Sequence, residues 1–287
     1  MLMGKRIFFE MLNMPRDNGL KWEEMTAPEF IKALDVTKGV CIIPLGSIEK
    51  HGNHLPMGTD NFLVHSTAVL ASKIEPVVVF PPIMFTENCE AANNPGAIAV
   101  KPSIYFKLLE NLCDEVARNG FKKIILLNGH GGNEFFLRYF VQTILGKGKD
   151  YVVYLPGMLR DENMEKKILE TSFDYHAGES ETSRLLYLYP KLVKMNAVSA
   201  KPGKPLKRSK VPGIVTPVDW FSDFPEHYAG DARPATSKKG KILVENAVKN
   251  LVQIIRKVKA DDTTSTLQRE YQKKAKNVVI SSERKKK

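Results

Sequence analysis

The chain has 287 residues, 43% of them hydrophobic, enough to bury a large core as one large domain or two small ones. No apolar run approaches the roughly 20 residues that a membrane span needs, and Cys41, Cys89 and Cys113 have no paired spacing that suggests a zinc ribbon or a disulfide framework. The formal charge of +11 is concentrated: from Lys238 onward 15 Lys or Arg face 5 Asp or Glu, which leaves the first 237 residues at about +1. A nucleic-acid-binding adaptor would have to work through that basic end, where the only aromatic residue is Tyr271. Residues 1–10 hold two basic residues with no long apolar stretch or small-residue cleavage site after them, so a cytoplasmic location is the default expectation.

Residues 1–38 read as a lead-in: a polar turn at 15–19, then a short helix with Thr26 as N-cap, Pro28 in its first turn, and Phe30, Ile31 and Leu34 at helical spacing. The β-branched run at 40–45 predicts a buried strand, and a polar segment starts where it ends. In that segment Glu49 and His51 stand two apart, so their side chains leave an extended chain on one side, and the glycines and Pro56 that follow can bend Asp60 back toward them. Residues 61–73 predict a helix and 77–80 a second strand. The loop 84–96 has few large apolar residues and is expected to line a pocket mouth, with Asn88 and Glu90 as candidate substrate contacts.

A helix from 102 to 119 is closed by Asn119-Gly120, and a strand at 123–127 leads into Asn128-Gly129-His130-Gly131-Gly132-Asn133. Three glycines around one histidine suit close approach of backbone to a ligand or ion, so Gly131 joins the candidate substrate contacts. A helix at 134–145, a strand at 151–155 and an amphipathic helix from 157 to 174 come next. The cluster His176 to Ser183 opens a helix over 177–189 whose first turn presents Glu179 and Glu181. Four prolines and five basic residues make 201–217 an irregular loop that covers a site or reaches a neighbouring subunit. Trp220, Phe221, Phe224, His227 and Tyr228 are expected in a core or subunit interface rather than a substrate cage. Residues 240–257 predict a last sheet-covering helix, followed by a solvated, partly disordered basic extension over 259–287. Strands alternating with helices predict a mostly parallel sheet covered on both faces, with ligand loops at the carboxyl ends of its strands.

In order, "PLGSIEKHGNHLPMGTD", "NGHGGN" and "HAGESETS", with the weaker "NNPGAIAV" and "GDARPATSKKG", resemble the creatininase family of metal-dependent amidohydrolases over about residues 22–258. The resemblance implies a three-layer α/β/α fold, one hydrolase domain at 1–258, and two divalent ions, zinc first with manganese or iron as alternatives. It also implies an oligomer, often a hexamer, and hydrolysis of a cyclic or linear amide C–N bond by a metal-activated water. By position, Glu49 and His130 would hold one ion, His51 the other, and Asp60 would bridge them. His176 would protonate the leaving nitrogen, with Glu179 grouped beside it.

The resemblance has gaps. Creatininase proper has a metal-binding glutamate where Gly132 stands and a tyrosine in the place of Gly131, so the missing carboxylate is assigned to Glu181, with Glu179 as second choice. Ser172 and Phe173 stand where creatinine contacts are expected, and Ala91 replaces a histidine of many relatives. The expected substrate is therefore another small-molecule amide or formamide. Creatinine amidohydrolase proper, a small peptidase, and a non-catalytic ligand- or nucleic-acid-binding descendant are the alternatives.

Overall fold

A computed structural model describes residues 19–157, 159–211 and 213–276. The 1–10 reading, most of the turn at 15–19 and the end of the basic extension from 277 lie outside the described residues. Five strands, β1 (Leu20–Lys21), β2 (Val40–Leu45), β3 (Val78–Val79), β4 (Lys123–Asn128) and β5 (Val152–Tyr154), form one sheet in the order β1-β3-β2-β4-β5. All neighbouring pairs are parallel, and β2 and β4 pair in full from Val40↔Lys123 to Leu45↔Asn128. Parallel strands covered on both faces carry continuous apolar runs. Accordingly, β2 is buried at all six positions.

The helices are α1 (Ala27–Val36), α2 (Thr59–Ile74), α3 (Pro102–Arg118), α4 (Asn133–Ile144), α5 (Glu162–Ile168), α6 (Glu179–Leu188), α7 (Asp219–Asp223), α8 (Ser237–Ala260) and α9 (Thr263–Lys276). Because side chains alternate along a strand, Cys41, Ile43, Leu45, Ile124 and Leu126 face α1, α3 and α4 through Ala33, Tyr105, Leu109, Leu137 and Phe140. Val40, Ile42, Ile125 and Leu127 face the opposite way, onto α2 and α8 through Val64, Ala68, Val244, Leu251 and Ile255. The result is a three-layer α/β/α sandwich. Fully buried side chains such as Phe121 and Phe140 each contribute about 1.5–3 kcal/mol to it.

Pro44 lies inside a central strand, which a missing N–H normally forbids. Its carbonyl accepts from Ile83 N at 2.9 Å, beyond the two residues of β3, so the proline faces a side where the regular ladder has already ended.

Several expectations change. β1 was not foreseen, since two residues at the sheet edge carry no periodic signal; Leu20 is fixed there by its N–H donating to Ser72 Oγ at 3.0 Å. The amphipathic helix expected to run to 174 stops at Ile168, because Glu179 takes the next free amides, Glu170 N and Thr171 N. The last sheet-covering helix runs to Ala260, and part of the stretch read as a tail is α9, whose Gln268 and Gln272 donate to the carbonyls of Lys149 and Tyr151 beside β5. Among the described residues, no helix is long and apolar enough to cross a membrane.

The strand order places the site. After β2 the chain turns to β3 on one side, and after β4 it turns to β5 on the other. Loops that leave adjacent parallel strands in opposite directions open a crevice at their carboxyl ends.

Candidate metal centre

Glu49 and His51 lie on the loop that leaves β2. Glu49 N donates to Met57 O at 3.0 Å, His51 bridges Leu55, and Thr59 N donates to Pro56 O at 3.1 Å, so the loop doubles back and α2 starts beside the strand end. Asp60 thereby sits in the first turn of α2, whose free N–H groups favour a carboxylate. From β4 comes His130, pinned by Gly129 N to Leu45 O at 2.7 Å and by His130 N to Asn128 Oδ1 at 3.1 Å. His176 is held by a two-way backbone bridge to Ala229. Ala177, at φ 55°, then turns the chain into α6, which carries Glu181 in its first turn.

These groups converge. His51 Nε2 is 3.0 Å from Asp60 Oδ1 and 3.9 Å from Glu181 Oε2, while His130 Nδ1 is 3.2 Å from Asp60 Oδ2 and 3.1 Å from Glu49 Oε1. The two oxygens of Asp60 thus face two different imidazoles. Glu90 Oε1 lies 3.3 Å from the other ring nitrogen of His130, and His176 Nδ1 lies 3.9 Å from Glu49 Oε1. Three donor sets, Glu49/His51/His176, Glu49/Glu90/His130 and His51/Asp60/Glu181, each have their ligand atoms within 4.8 Å of one another. Glu49, His51, Asp60 and His130 are all buried, and Glu90 and Glu181 are about a quarter exposed.

Electrostatics and hydrogen bonding agree that these residues fit a cation. Burial opposes the charge on His51, yet the charge and hydrogen bond of Asp60, with Glu181 and Glu49 behind them, raise it to about 10. His130 is likewise raised against its burial, chiefly by Glu49, and Glu49 in turn is held well below the usual carboxylate range by His130 and His227. The carboxylates thus favour positive charge at both imidazoles, the charge that a bound cation would bring. Glu49 Oε1 and Asp60 Oδ2 are buried and, among the described residues, make no well-formed hydrogen bond, since both lie against the one Nδ1 of His130. An unpaired buried carboxylate oxygen is costly, and imidazole with carboxylate is a donor set suited to zinc, manganese or iron.

The remaining predicted residues fall in different places. Glu179, expected beside His176 in catalysis, is not brought into the cluster. It is fully buried, and its oxygens accept from Glu170 N, Thr171 N, Thr171 Oγ1 and Lys239 Nζ, which occupies it as a structural anchor. Asn88 is fully buried and donates to Ile48 O at 3.2 Å, shaping the loop from beneath. Gly131 has nothing within 4 Å of where a Cβ would stand, so the mouth is open on that side. A Cβ at Gly132 would collide with Glu90 Oε1, so the carboxylate of Glu90 fills the space that Gly132 leaves.

Of the aromatic cluster expected in a core or interface, Tyr228 does lie in a hydrophobic core with Leu55, Ala177 and Leu185, whereas Trp220 and His227 pack against the site. Trp220 lies 5.8 Å from the His176 ring and 5.5 Å from the His227 ring, and His227 Nε2 is 3.1 Å from Glu49 Oε2. Sequence reasoning missed His227 as a site residue. Its only signal was position, three residues before the "GDARPATSKKG" stretch.

The creatininase family profile, described as creatinine amidohydrolase, matches residues 23–255, and the chain belongs to that family of hydrolases. It is 27% identical to a 3-dehydro-scyllo-inosose hydrolase of Thermotoga maritima, with 85% of each chain covered. It is 30% identical to a mycofactocin precursor peptide peptidase of Mycobacterium ulcerans, over 75% of this chain and 83% of that one. A solved creatininase shares the fold with a TM-score of 0.73 at 22% identity, over 85% of this chain and 99% of that one. Other solved creatininases of that fold are a Zn–Zn form and a manganese form.

Proposed function

We propose that the crevice outside β2 and β4 holds two divalent ions, zinc or manganese first, and that the protein hydrolyses an amide C–N bond there. The observation that carries this reading is Asp60, whose two oxygens face His51 and His130 separately while Oδ2 and Glu49 Oε1 make no well-formed hydrogen bond among the described residues. One ion would be held by Glu49, His130 and Asp60, and the other by His51, Asp60 and Glu181. When bound, such ions acidify a water and polarise a scissile carbonyl.

The chain's own groups supply the rest. His176 places Nε2 2.9 Å from Lys50 O, so Nε2–H donates to that carbonyl and the lone pair of Nδ1 faces the cluster. Burial, then the charge on His51, hold this ring below its ordinary value. Nδ1 is therefore free to take a proton from the attacking water and return it to the leaving nitrogen. Trp220, against the same ring, excludes water from that flank. The open Gly131 corner and the departures at Gly132, Ser172 and Phe173 favour an amide other than creatinine, with formamides and short peptides next. We also propose self-association through the 201–218 loop, where Leu206, Ile214, Val215 and Val218 are more than half exposed; light scattering tests it.

The deciding experiment combines metal analysis of the purified protein with a hydrolysis screen of cyclic amides, formamides and short peptides under zinc, manganese and iron. Two equivalents of metal and turnover that stops on chelation support the reading. Turnover unaffected by chelation, or a protein that takes up no metal, overturns it.

A further inference from the structure

We infer that Trp220 and His227 form a positioning relay that binds one oxygen of Glu49 and leaves the other turned toward the metal. The inference rests on the metal reading above.

The relay follows from donor and acceptor inventory. An indole N–H can only donate, and Trp220 Nε1 lies 2.8 Å from His227 Nδ1. That nitrogen must accept, so the ring proton sits on Nε2, 3.1 Å from Glu49 Oε2, and the direction of both bonds is set from the indole outward. Glu49 Oε2 is thereby occupied by a donor. Glu49 Oε1 is buried, makes no well-formed hydrogen bond among the described residues, and lies 3.1 Å from His130 Nδ1. Three other imidazoles, those of His51, His130 and His176, approach Oε1, whereas among the described residues His227 is the imidazole that contacts Oε2.

The backbone is built to keep it there. His227 sits at φ 52°, a region costly for a residue with a side chain. The strained residue is held by its N–H to Phe224 O at 3.0 Å, and its carbonyl accepts from Gly52 N at 3.3 Å on the very loop that carries Glu49 and His51. Trp220 is placed in turn by α7, one turn upstream, and packs against the His176 ring as well. A buried histidine with a fixed tautomer behind a carboxylate is the arrangement that orients a ligand oxygen and tunes a metal's affinity.

The test is Zn²⁺ affinity of the full chain, measured by chelator competition on metal-stripped wild type, His227→Phe, His227→Gln and Trp220→Phe. Loss of an outer-shell partner typically weakens binding about 10- to 100-fold, and that is expected of His227→Phe at one of the two sites. His227→Gln, which keeps an N–H donor at similar reach, should recover most of it. Trp220→Phe, which removes one hydrogen bond and keeps the packing, should lose about three- to tenfold. If wild type binds two zinc ions and His227→Phe binds both with unchanged affinity, the relay is wrong while the metal reading stands. Equal losses in His227→Phe and His227→Gln mean a packing role and also overturn it. A wild type that binds no zinc removes both.

Discussion

Glu49 and Glu179 are the same residue type at the same depth, both fully buried, and they have opposite surroundings. Glu179 is saturated: two amides, a hydroxyl and the Lys239 ammonium meet its oxygens. Glu165 is similar, with Arg160 on one oxygen at 2.8 Å and Arg184 on the other at 2.7 Å. Glu49 has a hydrogen-bonded donor on Oε2, but its Oε1 must share the single Nδ1 of His130 with Asp60, and Glu90 and Glu181 stand nearby, so carboxylate gathers there with only imidazoles to meet it. Burial of charge alone does not mark a functional site. What separates the two regions is whether each buried oxygen already has its donor.

The largest effect should come from the unsaturated side. Asp60→Ala removes the carboxylate whose two oxygens face different imidazoles; activity is expected to fall about 1000-fold or more, with metal content reduced and circular dichroism unchanged. A variant with full metal and full turnover would break the comparison at once.

Glu179→Gln attacks the saturated side and should show the reverse pattern. Neutralising this buried carboxylate turns one accepting oxygen into a donor against the amides it now receives and leaves Lys239 with only Glu170 and the Pro234 carbonyl, at a cost of about 3 kcal/mol, or roughly 6–12 °C in Tm. Zinc stoichiometry should stay at the wild-type value; metal loss on this substitution would return Glu179 to the site.

A pH series sharpens the contrast without mutation. His51 is raised from 6.5 to about 10, so its contribution to the stability of the metal-free protein is complete below pH 6.5 and is lost as pH rises through about 10. Chelator-treated protein should therefore melt progressively lower between pH 7 and 9.5, while zinc-loaded protein, whose His51 lone pair is engaged by metal, declines less. Parallel curves for the two forms would count against His51 as a ligand.

The smallest effect is expected at Gly132→Ala. The added methyl meets both Glu90 Oε1 and His130 Nε2, so it displaces the flexible, partly exposed Glu90 side chain and nudges the His130 ring, and zinc affinity should drop about tenfold. Unchanged affinity would show that neither Glu90 nor the seat of the His130 ring beside Gly132 matters to the ion.

Much of this was legible beforehand because it follows local rules. The runs at 40–45 and 123–127 are aliphatic without alternation, as strands covered on both faces must be, and each ends in glycine and histidine. Thr26 and Pro28 announce a helix start, and the structure adds Glu29, whose Oε2 accepts from Thr26 N at 2.8 Å. Choosing between Glu179 and Glu181 was beyond such rules. Two residues apart on one helix, they point to opposite faces, and nothing local says which face meets the crevice. Only the packing of α6 on α2 and α8 turns Glu181 toward His51 and Glu179 toward Lys239.

By itself, then, the amino-acid order determined the layers, the alternation of strand and helix, and which loops carry the ligand-type side chains, since propensity and periodicity act over a few residues. Tertiary structure decided which of those side chains share a centre. It brought Glu90 into the gap at Gly132, took Glu179 away as an anchor, and set Trp220 and His227 behind Glu49, 178 positions along the chain from His227. Such pairings depend on how distant elements pack, and local sequence carries no record of that.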